Sequence, residues 1–167
     1  REMQRYPEIR KFRYPSKVKE TVKLRRRLSS SDFVFESRSE KEVNVLVIKL
    51  LEGTLLTKGE MRRLKTYHGA IELSDDVLFA SVVERYGRTG NIGRGFIAGL
   101  GPLNGALAQT IAHDSHNMIV VGSNSIDMLA SAKELLAMQG GIALSSGGKI
   151  SASLGLGIGG LMSTKSA

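Results

Sequence analysis

Apolar positions along this chain fall into short runs, and the spacing inside each run separates strands from helices. Residues 43–51, Val-Asn-Val-Leu-Val-Ile-Lys-Leu-Leu, are rich in β-branched side chains and read as a strand buried on both faces in its middle. Gly53 and the Lys58-Gly59 pair mark turns. Residues 77–86 form a second long strand that ends in the adjacent acid and base Glu84-Arg85. Seven glycines between 87 and 105 surround Phe96-Ile97-Ala98, the pattern of a strand with tight turns or bulges at both ends. Residues 106–112, Ala-Leu-Ala-Gln-Thr-Ile-Ala, predict a compact helix, and 118–122 a strand. Asn124 caps a further helix whose apolar residues Ile126, Leu129, Ala132 and Leu136 recur at spacings of three and four. Gly140-Gly141 ends it. Residues 142–154 then predict a hairpin around the two-residue turn Gly147-Gly148. The expected architecture is α/β, with α+β also compatible: a mixed sheet of about six strands covered by two or three helices. No repeat of solenoid period is present.

Composition narrows the function classes. The 167 residues suit one domain, or a domain with an arm, and can bury a real core. Cysteine is absent, which removes disulfide scaffolds and thiolate metal sites. No apolar run reaches the ~18 residues of a membrane span, and nothing resembles a secretory leader. The chain opens on Arg1 and is expected to be a piece of something longer. Its net charge of +8 is local: residues 1–27 carry eleven Lys/Arg against three Glu, and the remainder is balanced. This predicts residues 1–30 as a basic connecting arm or linker and 31–167 as the folded domain. An arm of this kind suits a nucleic-acid contact or an anionic surface. The body offers no second basic patch and few aromatics on which bases would stack, so a solvated linker is favoured. A non-enzymatic binding or oligomerisation domain with a nucleic-acid-contacting arm is the alternative.

Chemistry concentrates in one place. His113-Asp114-Ser115-His116-Asn117 are five consecutive polar residues between two apolar elements, a helix-to-strand loop on this reading. Imidazoles move protons near neutral pH, and a carboxylate can fix their tautomer. Two imidazoles and an aspartate could also hold a metal, though only at the bare minimum ligand number. The bland account is a histidine against a helix C-terminus with Asp114, Ser115 and Asn117 bonding the turn. Five together favour a site. His68, alone beside Gly69, reads as a turn residue. Glu84-Arg85 offers either a donor fork and an acceptor for a heterocycle or a surface ion pair. Gly155-Leu-Gly-Ile-Gly-Gly160 formally fits a dinucleotide fingerprint but leaves too few residues for the helix that motif needs. The glycines of 87–105 lack the Gly-Lys-Ser/Thr ending of a phosphate loop.

Residues 76–86, Thr89-Gly90-Asn91-Ile92-Gly93 with Gly95-Phe96, Gly105-Ala106 and the block 112–122 together resemble the C-terminal domain of bacterial adenine deaminases, from about Tyr14-Pro15 onward. The chain departs from that pattern at Tyr86, where the family usually has His, and at 154–159, where the family usually carries proline. The resemblance implies a longer amidohydrolase whose N-terminal barrel holds two divalent metals, manganese or iron, and converts adenine to hypoxanthine and ammonia. There a metal lowers the pKa of water to make the nucleophile. It further implies that this chain alone binds no cofactor, holds no metal and is inactive, with adenine and the barrel as partners in a cytoplasmic homo-oligomer. No membrane is expected, nor nucleic acid. His113, Asp114 and His116 are then the expected catalytic residues, with Asp114 orienting one imidazole. Glu84, Arg85, Ser115 and Asn117 are expected on the substrate side, Ser115 and Asn117 also holding the loop.

Overall fold

A computed structural model describes residues 13–39, 41–74 and 76–163. Nine strands form one sheet: β1 (Glu42–Leu50), β2 (Thr57–Tyr67), β3 (Ala70–Ile71), β4 (Val77–Val83), β5 (Ile92–Ala98), β6 (Ala106–Gln109), β7 (Met118–Gly122), β8 (Gly141–Ser146) and β9 (Lys149–Gly155). Their spatial order is β3-β2-β1-β5-β4-β7-β6-β8-β9. The β1–β5 pair is parallel and every other pair antiparallel, so the sheet is mixed as expected. The strand count exceeds the expected six, and α1 (Ser125–Met138) is the only α-helix among the described residues.

Three sequence expectations give way. The helix predicted over 106–112 is strand β6, hydrogen-bonded between β7 and β8. Its alanines reflect packing rather than helix propensity: Ala106 and Ala108 are buried where α1 crosses, and a Cβ on Gly122 would lie 2.7 Å from both the Ala106 Cβ and the Met128 Cγ. Small residues let the helix approach the sheet. Lys58-Gly59 is not a turn but part of β2, and the chain reverses at Glu52-Gly53. Nor is β1 buried on both faces: Val45 and Val47 point into the core, while Leu46 and Ile48 are exposed.

The core lies on one face, between the sheet and α1. Met128, Ala132 and Leu135 of the helix belong to one buried cluster with Val77, Val83, Met118, Val120 and Ala143. Phe35 stacks on Phe79 at 4.3 Å between ring centroids and sits edge-on to Phe96 at 5.4 Å, closing the core beyond the helix. Asn124 caps α1 by accepting from the Asp127 N–H at 2.9 Å. Gly147 and Gly148, both at positive φ, make the predicted hairpin turn, which Asp127 holds by accepting from the Gly148 N–H. No described helix is long and apolar enough to cross a membrane.

Residues 1–12 lie outside the described residues. Within the rest of the basic segment, Val22 is buried and bridges to the C-terminus of α1: its N–H donates to the Gln139 Oε1, and the Thr21 hydroxyl donates to the Gln139 carbonyl at 2.7 Å.

Candidate functional site

The five polar residues 113–117 connect two strands, β6 and β7, rather than a helix and a strand. The turn is tight: the Ser115 N–H donates to the His113 carbonyl and the His116 N–H to the Ala112 carbonyl. To make it, Asp114 and His116 take φ of 70° and 47°, a left-handed conformation that non-glycine residues enter at a cost. His113, Asp114 and Ser115 are exposed, and His116 and Asn117 half-buried. The two imidazole centroids stand 6.5 Å apart. Asp114 is not brought onto either ring, so the expected carboxylate–imidazole hydrogen bond is absent. Ser115 does hold the loop, its Oγ facing the Asn117 N–H at 3.4 Å. Among the described residues, the His116 Nδ1 and Asn117 Oδ1 are buried with no hydrogen-bond partner. Buried polar atoms ordinarily have one.

Arg85 explains why the loop sits where it does. Only 1% of this residue is exposed. Its Nε donates to the His116 carbonyl, Nη1 to both the Thr21 carbonyl and hydroxyl, and Nη2 to the Gly159 carbonyl at 3.0 Å. One guanidinium thus ties the end of β4 to the polar loop, the N-terminal segment and the C-terminal turn. It makes no ion pair with Glu84. That carboxylate instead accepts the N–H groups of Tyr86, Arg88, Thr89 and Gly90. Burial works to raise the Glu84 pKa, but these four donors outweigh it and hold the group below its ordinary value.

Two contributors, Thr110 and Gly160, were not expected at the site, and Tyr86 was noted only as a departure from the family pattern. Tyr86, at the family's usual His position, donates through its hydroxyl to the Ser115 carbonyl at 3.1 Å, with the guanidinium carbons of Arg85 and Arg88 lying 5.1 and 5.9 Å from its ring centroid. Thr110, fully buried, donates to the Gly160 carbonyl at 2.6 Å and accepts from the Gly141 N–H. Gly160 is at φ 72°, and a Cβ there would come within 2.6 Å of the Arg85 Nη1. Of the 155–160 glycines, Gly160 alone is needed for this close approach. A polar pair, Gln109-Thr110, inside a mostly apolar run and three residues ahead of the polar block was the available signal for Thr110.

A cleft of ≈ 470 Å³ opens over this junction, lined by Lys17, Lys23, Tyr86, Arg88, His116 and Leu161 with Arg85 below. His116 of the loop, Arg85 and the N-terminal segment meet there. His68 lies far along the chain at φ 48°, in a turn against Tyr67, as expected of a turn residue.

Residues 54–167 match the family described as adenine deaminase C-terminal domain. The chain is 39% identical over 155 residues to an adenine deaminase of Staphylothermus marinus, covering 91% of this chain and 26% of that protein. It is 40% identical over 156 residues to an adenine deaminase of Methanococcoides burtonii, with coverage of 92% and 26%. Adenine deaminase 3 of Rhizobium meliloti is 40% identical over 163 residues, with coverage of 96% and 27%. The chain therefore spans about a quarter of the length of the curated relatives it matches.

Proposed function

Because the chain belongs to the adenine deaminase C-terminal domain family, we propose that it is the C-terminal part of an enzyme that hydrolyses adenine to hypoxanthine and ammonia. In this reading the 113–117 loop closes over an active site built by an N-terminal barrel in the cytoplasm. The observation that carries it is the loop's own construction. Two residues of the turn are strained, and two of its buried polar atoms find no partner within the described residues of this domain. They suit a surface completed by another one.

The metals implied for such an enzyme, manganese or iron, do not fit this chain's residues. No group of three His, Cys, Asp or Glu among the described residues is placed to hold an ion, and Asp114 does not turn toward the imidazoles. Proton handling is left to this chain. In this reading His113, exposed at the turn, exchanges a proton with the leaving amine. In the same reading His116, whose Nδ1 is unpartnered, bonds the purine or a group beside it. Glu84 and Arg85 act through the backbone they hold, as positioning residues. Asn117 offers its Oδ1 as an acceptor for an exocyclic amine.

The test is paired and made on the full-length enzyme. His113→Ala and His116→Ala should each lower kcat by roughly a hundredfold, the ordinary worth of a general acid–base group, with metal content unchanged. Loss of metal in either variant would make that histidine a ligand. Unchanged turnover in both would leave the domain a purely structural cover.

A further inference from the structure

The charge buried at the junction has no counter-charge. Arg85 is 1% exposed, and every acceptor it reaches is neutral: the carbonyls of His116, Thr21 and Gly159 and the Thr21 hydroxyl. A buried ion is ordinarily matched by an opposite one, because its lost hydration is otherwise uncompensated. Glu84, next to it in sequence, turns its carboxylate to the 86–90 backbone instead. The cleft above Arg85 deepens the imbalance. Lys17, Lys23 and Arg88 line it too, against Glu20 as the one acid on that lining. Among the described residues none of these five forms an ion pair, whereas Arg26, Lys49, Arg62 and Arg63 do so elsewhere. Backbone bonds hold the cations in place. The Lys23 N–H donates to the Arg85 carbonyl at 2.7 Å, and the Gly159 N–H to the Val18 carbonyl at 2.7 Å, which fixes the segment carrying both lysines. The Arg88 N–H is held by Glu84 at 3.0 Å, and the Arg88 and Arg85 guanidinium carbons share the Tyr86 ring. Like charges are thus gathered and fixed around one concavity.

We propose that this cleft binds the phosphate group of a small phosphate monoester. The inference goes beyond the deaminase reading and does not rest on it, since adenine carries no negative charge near neutral pH and leaves these cations unanswered. Charge selects the ligand class. A monoester brings close to two negative charges and three strong acceptor oxygens, which suit two mobile ammonium groups and an exposed guanidinium converging from different walls. A single carboxylate brings half that charge. A cleft lined by one sign of charge also focuses the field and concentrates counter-ions at its mouth. Arg85 contributes from below as a fixed positive charge, its N–H groups already engaged with the backbone. Size selects a small molecule. The ≈ 470 Å³ of the cleft falls within the range of about 300–1,000 Å³ for small-molecule sites, and it leaves room beyond the phosphate for a carbon body. Val18 and Leu161 give that body an apolar wall. The lysines of the basic N-terminal segment thereby acquire a role that its reading as a solvated linker does not supply.

Calorimetric titration at constant ionic strength decides the matter, with inorganic phosphate and ribose 5-phosphate as probes and ribose as the uncharged control. The 167-residue chain should bind both phosphates, the ester at least as tightly, and should not bind ribose. Lys17→Ala/Lys23→Ala, two exposed positions, should weaken both by at least roughly tenfold with Tm retained. If that double variant fails to fold, Arg88→Gln on the opposite wall carries the same expectation. Lys133→Ala, exposed on α1 and outside the cleft lining, should change nothing. No binding of either phosphate would overturn the proposal, as would equal binding by the double variant. A short oligonucleotide that binds more tightly than ribose 5-phosphate would overturn it in favour of a nucleic-acid backbone groove. Ribose 5-phosphate that binds the chain but is shut out of the full-length enzyme would also overturn it, and assign the cleft to a carboxylate of the remaining enzyme.

Discussion

Gly160 shows how a single residue can bear on the whole site. Its positive φ and its contact with the Arg85 guanidinium leave no room for a methyl group, because Thr21 and Thr110 hydroxyls close the other sides at 3.1 and 3.2 Å. Gly160→Ala should therefore cost about 2 kcal/mol or more, read as a fall in urea midpoint. Gly157→Ala, where the added Cβ meets nothing within 4 Å, should be near neutral. Equal effects at the two positions would show that the Arg85 junction does not matter to stability. Arg85 itself was legible as chemistry but not as architecture. Adjacent Glu and Arg suggest an ion pair or a ligand clamp. Only the folded chain brings Thr21 and Gly159, 64 and 74 residues away, onto its donors.

At the scale of elements, α1 was readable in full and β6 was not. A helix declares itself locally, through a cap, a period and a stop, and each of these signals is present from Asn124 to Gly140. Asn124→Ala should remove the cap, which also receives support from the Asp127 carboxylate contacting Asn124 Nδ2 at 2.7 Å. The expected loss is about 1 kcal/mol, or about 3 °C in Tm by calorimetry. An unchanged Tm would mean that tertiary packing alone holds the first turn. β6 has no such autonomy. Its alanines favour helix in isolation, and the strand exists because β7 and β8 bond both of its edges. β2 was missed for a related reason: with Arg, Lys and Glu at five of its eleven positions and burial at Leu64 and Thr66 alone, it has almost no apolar alternation.

Over the whole molecule, the N-terminal segment is joined to the fold by a charge pair that makes stability depend on pH. Asp32 is buried and accepts two hydrogen bonds from Arg26. That guanidinium lowers the Asp32 pKa from its ordinary 3.8 to about 2, against the opposing effect of burial and with help from the Ser29 N–H. A pKa lower in the folded than in the unfolded chain means that the unfolded state takes up the proton first. The contribution is present above about pH 4 and is lost as pH falls toward 2. It amounts to about 2 kcal/mol. Urea unfolding at about pH 6 and about pH 2 should show the wild type losing that much more than Asp32→Asn. Parallel losses would place the pH dependence elsewhere.

The sequence alone determined what depends on neighbours along the chain: the capped helix, the Gly147-Gly148 hairpin, the long strands β1 and β4, a mixed sheet, and the place where polar chemistry concentrates. Its block at 113–117 and the motifs around it also carried the family. Tertiary structure decided what depends on distant pairs. It made β6 a strand and set nine strands in one sheet. It turned Glu84 to the 86–90 backbone and Arg85 to three remote segments, and it left Asp114 off the imidazoles. The physical reason is the same in each case. Helix periods and two-residue turns are satisfied by hydrogen bonds a few residues away, so their signals are local. A strand's bonds, a buried arginine's acceptors and a sheet's second layer all come from elsewhere in the fold, and no window of sequence contains them.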